Sequence, residues 1–286
     1  MFAARSFVGQ IHLHRTVCRK QRDFLLILFM NLQFNKNLAD SYTSSSQIAR
    51  VLTENWVKEN SYCPNCGREN INEYPNNQPL ADFFCSFCKE DFELKSKNGK
   101  LGKKINDGAY STMIERITSD VNPNFFFLTY SKTDWKVNDF LIIPKHFFQP
   151  EIIEKRKPLA ETARRAGWTG CNIDLQSIPI LGRIFLVKSS VVTEKTAVLN
   201  NWQKTIFLRD EAPEVKGWTF DVLKCIDRIE SSEFSLGEVY GFEKELKSKH
   251  AENNFIRDKI RQQLQILRDR NIIEFVSRGK YRKVSR

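Results

Sequence analysis

The chain has 286 residues, 41% of them hydrophobic and 28% charged, ordinary for a soluble globular protein and long enough for one large domain, or for one of about 150–180 residues plus a small second one. Its 45 Lys and Arg against 34 Asp and Glu leave a net charge of +11; that favours a polyanionic partner without choosing between nucleic acid and an anionic membrane. Residues 254–286 hold ten of the basic and three of the acidic side chains, and a basic cluster in one segment is the footprint of nucleic-acid binding.

In chain order, Arg15, Arg19, Lys20 and Arg22 precede the apolar run from Phe24 to Met30, which imitates a signal peptide. The run is at the short limit for such a segment, is followed by no small-residue cleavage site, and is too short to span a membrane. We read residues 1–29 as a misplaced start or a disordered extension, with translation beginning at Met30. Residues 41–60 have Ile48, Leu52 and Trp56 at helical spacing behind the serines Ser44, Ser45 and Ser46 as caps. Short strands are expected at 81–84 and 91–95, a helix at 106–119, and buried strands at 125–130 and 140–143. Residues 151–182 read as irregular, and a further strand follows at 183–187. Alternating helices and strands imply a mixed α/β (α+β) sheet flanked by helices.

The polar stretch around Asp210 to Lys216, with Pro213, marks a boundary between domains 30–211 and 212–286. Beyond it, helices are expected at 218–229, at 235–247 behind the capping box Ser235–Glu238, and at 255–270 behind Asn253 or Asn254. Strands at 272–276 and 281–284 flank the turn Ser277-Arg278-Gly279-Lys280. Three helices and a hairpin make the order of a winged helix-turn-helix domain.

Four of the seven cysteines form C-x₂-C-x₁₈-C-x₂-C: Cys63, Cys66, Cys85 and Cys88. Each knuckle lets two thiolates on one turn reach one ion, and two knuckles complete a tetrahedral Cys₄ zinc shell. With four protein ligands no position is left for a reacting water, so the zinc is structural. Clustered cysteines with Cys18, Cys171 and Cys225 scattered suit a reducing cytoplasm better than a secreted disulfide framework.

Carboxylates are woven through this segment. Glu93 and Lys95 are two apart in a strand-like run and share a face. Asp82 lies on the preceding strand of a hairpin closed by the second knuckle. Two acids can hold Mg²⁺ and a lysine can orient water or stabilise charge on a phosphate; Glu54 on the preceding helix is an auxiliary candidate. Asp-x₁₀-Glu-x-Lys alone is a weak pattern, because such pairs are common on solvated strands.

At these residues the chain resembles the DpnI family of methyl-directed type II restriction endonucleases. The similarity runs from Met30 to the end and includes Ser61-Tyr62-Cys63-Pro64-Asn65-Cys66-Gly67, Phe92-Glu93-Leu94-Lys95-Ser96-Lys97, Ile105-Asn106-Asp107-Gly108-Ala109-Tyr110, Asn122-Pro123-Asn124-Phe125-Phe126-Phe127-Leu128-Thr129-Tyr130 and Arg164-Arg165-Ala166-Gly167-Trp168. It is similar also to PD-(D/E)xK nucleases, with Asp82, Glu93 and Lys95 on the signature positions, although the usual proline is displaced to Pro79. The resemblance implies Mg²⁺ held by Asp82, Glu93 and Leu94, cleavage of double-stranded DNA at adenine-methylated GATC, a winged helix that itself recognises the methylated site, and a bacterial cytoplasmic setting.

In the third helix of the wing domain Ile256, Ile260, Leu264 and Leu267 form an apolar stripe, and Arg257, Arg261, Gln265 and Arg268 a second one suited to the major groove. Arg278, Lys280, Arg282 and Lys283 on the hairpin are phosphate candidates. In the loop of Arg164 and Arg165, Trp168 is either a base- or methyl-stacking residue or a core tryptophan. The chain is read as a monomer without an obligate protein partner or membrane. A competing reading is a non-catalytic zinc-containing DNA regulator in which Asp82 and Glu93 are only salt-bridging residues.

Overall fold

The computed structural model describes residues 30–75, 81–119 and 121–284, and the reading of residues 1–29 as a misplaced start lies outside them. Leu32–Arg286 form one compact unit. Its first helix, α1 (Ser45–Asn60), buries Leu52, Thr53, Trp56 and Val57, the face that the 3.6-residue spacing marks. Ser44 stands at its N-cap without a side-chain bond to the helix backbone; its hydroxyl pairs instead with that of Ser46 at 2.9 Å.

A seven-stranded sheet follows, from β1 (Asn72–Glu73), β2 (Phe83–Phe84) and β3 (Asp91–Asn98). The segment after β3 is not the single helix expected over 106–119. It is β4 (Lys104–Ala109) and then the short α2 (Tyr110–Ile117). Ile105 pairs across to Ile173 and Asn106 to Asn172, so a partner far along the chain overrides the local pattern. The main sheet resumes with β5 (Asn124–Ser131) and β6 (Lys136–Ile143).

Residues 151–182 are less irregular than expected, because β7 (Ile153–Lys155) and β8 (Gly170–Asp174) join β4 in a second, three-stranded sheet of order β4-β8-β7. Then β9 (Ile184–Lys188) and β10 (Val191–Val192) complete the main sheet, in the order β1-β2-β3-β5-β6-β9-β10. Only β3 and β5 run parallel within it. A helix that periodicity does not announce, α3 (Lys195–Gln203), buries Val198 and Trp202.

The C-terminal segment opens with α4 (Pro213–Arg228). Pro213 does not interrupt the chain but starts this helix from its first turn, where its missing N–H has no intrahelical partner to lose. A strand not foreseen, β11 (Glu233–Ser235), leads into α5 (Leu236–Tyr240), and the capping box between Ser235 and Glu238 is formed in both directions. The second helix is split, with α6 (Glu243–Lys249) following after Gly241 and Phe242. The third helix, α7 (Ile256–Asp269), buries Ile256, Ile260, Gln263, Leu264 and Leu267. Phe255, not an asparagine, occupies its N-cap, while Asn253 accepts the Phe255 N–H at 2.7 Å. The hairpin β12 (Ile273–Ser277) and β13 (Lys280–Lys283) closes a three-stranded sheet with β11.

Strand β5 explains how the two faces of the main sheet differ. Phe126 faces α1, stacked between Phe92 (4.9 Å) and Phe140 (4.8 Å), with Trp56 edge-on to Phe140 at 5.3 Å. Phe125 and Phe127 point the other way, into an apolar core that continues through the small sheet into α4 and α7. By the alternation of a strand, Glu93 and Lys95, paired in register with Phe125 and Phe127, lie on that second face. No helix among the described residues is long and apolar enough to cross a membrane.

Candidate active site, cysteine knuckles and the exposed face of the last helix

The two knuckles are built alike. Gly67 N–H bonds Cys63 C=O at 2.8 Å and Lys89 N–H bonds Cys85 C=O at 2.9 Å. The fifth residue of each turn is left-handed, Gly67 at φ 73° and Lys89 at φ 61°, a conformation cheap for glycine and costly for lysine. Both turns aim their sulfurs at one point. All four Sγ atoms lie within 4.8 Å of one another, Cys63 to Cys88 at 3.4 Å and Cys66 to Cys85 at 3.6 Å. Four thiolates around one zinc at 2.3 Å stand about 3.8 Å apart, so this donor set fits the ion and could hold it. Among the described residues it is the only cluster of three or more Cys, His or acid ligands at such distances.

The second knuckle is fastened to the sheet by Glu90. This buried carboxylate meets Arg209 Nη2 at 2.7 Å, accepts from Asn124 Nδ2 at 2.9 Å and from Asn65 Nδ2 at 3.4 Å. Asn124 in turn donates to the Asp91 carbonyl at 3.0 Å and accepts the Lys145 N–H at 2.9 Å. The start of β3 is thus tied to the zinc loop, to β5 and to the segment that leads into α4.

Asp82 directly precedes β2, whose register against β3 sets Phe83 opposite Phe92. Asp82 N–H bonds the Phe92 carbonyl at 3.0 Å and its Oδ2 accepts the Leu94 N–H at 2.6 Å. Glu93 is 9% exposed and forms ion pairs with Lys95 and with Arg116 of α2. Lys95 also meets Asp107 of β4 at 2.5 Å. Burial works against the Lys95 ammonium, but Glu93 and Asp107 outweigh it and hold its pKa above the ordinary lysine value. Lys95 is therefore a fixed cation and not a base near neutral pH.

The three residues singled out from sequence are brought together in part: Glu93 and Lys95 touch, while Asp82 is engaged with the backbone of Leu94. Two members were missed. Asp107 lay in a stretch read as helix, and Arg116 carries no sequence signal because only the β4–α2 crossover places it. Glu54 of α1 is near enough to matter electrostatically: burial, joined by Asp82 and Glu73 and opposed by Arg50, raises its carboxyl above its usual pKa. Beside it Thr53 Oγ1 donates to Ser96 Oγ of β3 at 3.2 Å.

The loop between β7 and β8 belongs to the small sheet that carries Asp107. Its Thr169 carbonyl accepts the first N–H of α2 at 3.0 Å. Trp168 is half-buried, neither a core residue nor free: Arg165 lies over its ring at 4.7 Å, and the ring covers Gly170 so closely that a Cβ there would come within 2.9 Å of it. Arg164 and Arg165 are exposed.

In the wing domain Arg257, Arg261, Gln265 and Arg268 are all exposed on α7. Arg257 pairs with Glu243 at 2.8 Å, and both it and Arg261 lie over Tyr240, at 5.1 and 5.7 Å. Arg261 and Arg268 have acids beside them on the helix, Asp258 at 3.4 Å and Asp269 at 2.8 Å. On the hairpin, Arg282 is paired with Glu233 at 2.7 Å, whereas Arg278 and Lys280 at the turn are exposed and carry no ion pair among the described residues.

These features define a mixed α+β sheet domain with a four-cysteine cluster that could hold a metal ion, followed by a helix-turn-helix domain of the kind that binds DNA. The chain belongs to the DpnI family. Residues 30–211 match the model of that family, described as the Dam-replacing family, and residues 214–283 match that of the Dam-replacing HTH domain. The resemblance noted in the sequence is thereby borne out: the protein is a DpnI-like restriction endonuclease of the methyl-directed type.

Proposed function

We propose that the protein is a type II enzyme that cuts double-stranded DNA at GATC carrying N6-methyladenine, by Mg²⁺-dependent phosphodiester hydrolysis at Asp82, Glu93 and Lys95. The observation that carries this reading is that β3 sets Glu93 and Lys95 in contact on one face, while Asp82, just before β2, accepts the Leu94 N–H between them. The donor set suits a hard divalent ion: two carboxylates and the Leu94 carbonyl, all oxygen. When bound, the ion would polarise the scissile phosphate and acidify a coordinated water.

The chain's own residues supply the rest. Lys95, kept charged by Glu93 and Asp107, stabilises negative charge on the phosphate and orients the attacking water. Arg116 and Asp107 hold Glu93 and Lys95 in place, and Asp82 is positioned by the Leu94 N–H. The four cysteines take zinc in a structural role, as a closed sulfur shell requires. The domain boundary read from sequence, 30–211 and 212–286, is retained, with α4 beginning the DNA-binding domain. Trp168 with Arg164 and Arg165 meets DNA near the scissile site, while α7 enters the major groove and Arg278 and Lys280 meet phosphates.

One observation favours the second reading, a non-cleaving DNA regulator: Glu93 is already satisfied by Lys95 and Arg116. Incubation of plasmid from methylating and non-methylating hosts with the protein and Mg²⁺ decides between them. Defined fragments from methylated DNA only, lost with Asp82→Ala, are expected. Binding to methylated DNA without any cleavage would instead establish the regulator.

A further inference from the structure

Phe255 is 72% exposed, more than any other large apolar side chain exposed among the described residues. Single exposed apolar residues are common, but this one is held with unusual care. Its N–H is taken by Asn253 Oδ1 at 2.7 Å. The turn before it is tied down by Lys247, whose Nζ donates to the Ala251 carbonyl at 2.7 Å, the Asn253 carbonyl at 2.9 Å and Asn254 Oδ1 at 3.0 Å. A lysine that commits all three donors to one turn gives up its own rotamer freedom to fix that turn. The backbone that presents the ring is therefore set before any partner arrives, which lowers the cost of binding.

The surroundings indicate the partner. Phe255 is the N-cap of α7, and exposed Asp258 and Gln262 follow it one and two turns along the same side. Arg257 and Arg261, steadied on Tyr240 and paired with Glu243 and Asp258, lie further round the exposed half of the same helix. In helix-turn-helix proteins the first residues of the recognition helix meet base edges in the major groove. The apolar groups a phenyl ring can meet there are methyls: the C5 methyl of thymine and, on modified DNA, the N6 methyl of adenine. We infer that Phe255 is a specificity-determining residue whose ring packs on a methyl group in the major groove of the bound site. The inference rests on the proposed reading of α7 as the helix that enters duplex DNA.

The test is fluorescence anisotropy with the full zinc-loaded chain, without added magnesium, on labelled duplexes: methylated GATC, unmethylated GATC, methylated GAUC with uracil for thymine, and a GATC-free sequence. Phe255→Ala should weaken binding to methylated GATC about fivefold or more, the scale set by one buried methyl contact. It should change binding to the GATC-free duplex less than about twofold, because phosphate contacts dominate there. Phe255→Leu should recover most of the loss, and melting temperatures should stay near wild type because the ring is exposed. A defect that disappears on unmethylated GATC assigns the adenine methyl; one that disappears on GAUC assigns the thymine methyl. Equal affinities of wild type and Phe255→Ala on every duplex, or an equal loss on all of them, overturn the inference. A wild-type chain indifferent to adenine methylation would instead refute methyl-directed function while leaving the thymine–uracil comparison to judge Phe255, and one that binds no duplex would refute both.

Discussion

Glu90 offers the sharpest test of how the zinc loop is built into the fold. It is 5% exposed and its carboxylate serves three donors, so Glu90→Ala removes three contacts, but their weights differ. Asn124 keeps a second acceptor in the Asp91 carbonyl, and the bond from Asn65 is long at 3.4 Å. The cost therefore concentrates on Arg209, whose one ionic partner among the described residues is Glu90 at 2.7 Å. Removing one member of a buried ion pair costs about 3–5 kcal/mol. Arg209 keeps 29% of its side-chain exposure, which lets water take part of the charge and reduces the expectation to roughly 2–3 kcal/mol. In a unit of this size that is a fall in melting temperature of roughly 4–12 °C.

The assay is urea denaturation and calorimetry at neutral pH, with bound zinc quantified in each variant so that metal loss is not mistaken for loss of the pair. Arg209→Met in the Glu90→Gln background should cost less than the two single changes added together, because it removes the stranded cation. A loss below about 0.5 kcal/mol for Glu90→Ala, within the range of an ordinary surface substitution, or strict additivity in the double variant, would refute the account of Glu90 as the tie between knuckle and core.

Metal analysis of the purified chain should find about one zinc per molecule, and Cys85→Ser should abolish it and lower the melting temperature, since closed thiolate sites contribute folding energy; full stability in metal-free protein would contradict this. His146 is buried, and burial together with Arg209, Lys216 and Lys145 pulls its pKa down to about 3 from 6.5. Because the folded state keeps it neutral, its contribution is complete above pH 6.5 and is lost as pH falls toward 3. Roughly 2 kcal/mol should be gone by pH 5, and His146→Phe, which preserves the ring contact with Phe147, should flatten that slope in urea titrations between pH 7 and 5. Replacing Arg278 and Lys280 together by Ala should weaken DNA binding about equally on all sequences and reduce the slope of log affinity against log salt by about 2; an unchanged slope would place the hairpin away from the phosphates.

What the sequence allowed one to foresee follows from the distance over which each feature is determined. The knuckles were legible because a two-residue spacing confines both sulfurs to one turn, and the helix start at Ser235 because its capping box spans only three residues. Glu93 and Lys95 were legible as a pair for the same reason. By contrast, Asn106 to Ala109 became a strand through pairing with residues more than sixty positions away, a contact no local periodicity encodes. The pairing moved Asp107 from a supposed helix face to the side of Lys95, and the β4–α2 turn delivered Arg116 to Glu93. The winged helix was readable in its order of elements but not in β11, whose three residues owe their conformation to β13. The helix expected from residue 218 begins at Pro213 instead, because a proline can end an element or start one and only the following turn distinguishes the two.

The sheet domain and the helix-turn-helix domain are joined by an apolar interface and not by a linker alone. Phe147, after β6, stacks on Phe220 of α4 at 4.9 Å. Gly182 lies under the Phe147 ring so closely that a Cβ would come within 2.6 Å of it. The Ile180 N–H is held by Asp227 of α4 at 2.7 Å, and Arg270, at the end of α7, covers Phe207 at 5.2 Å. The apolar core is continuous across all of them, and interfaces of that kind do not permit the free domain motion that small polar ones do. On the proposed reading, α7 and the carboxylate cluster at β3 therefore keep a fixed relation while DNA is bound. Neither can swing to compensate for a poor contact made by the other. On that reading discrimination for a methylated site comes from each element's own contacts, and a rigidly presented side chain such as Phe255 would have more influence on specificity than its single ring would have on a flexible arm.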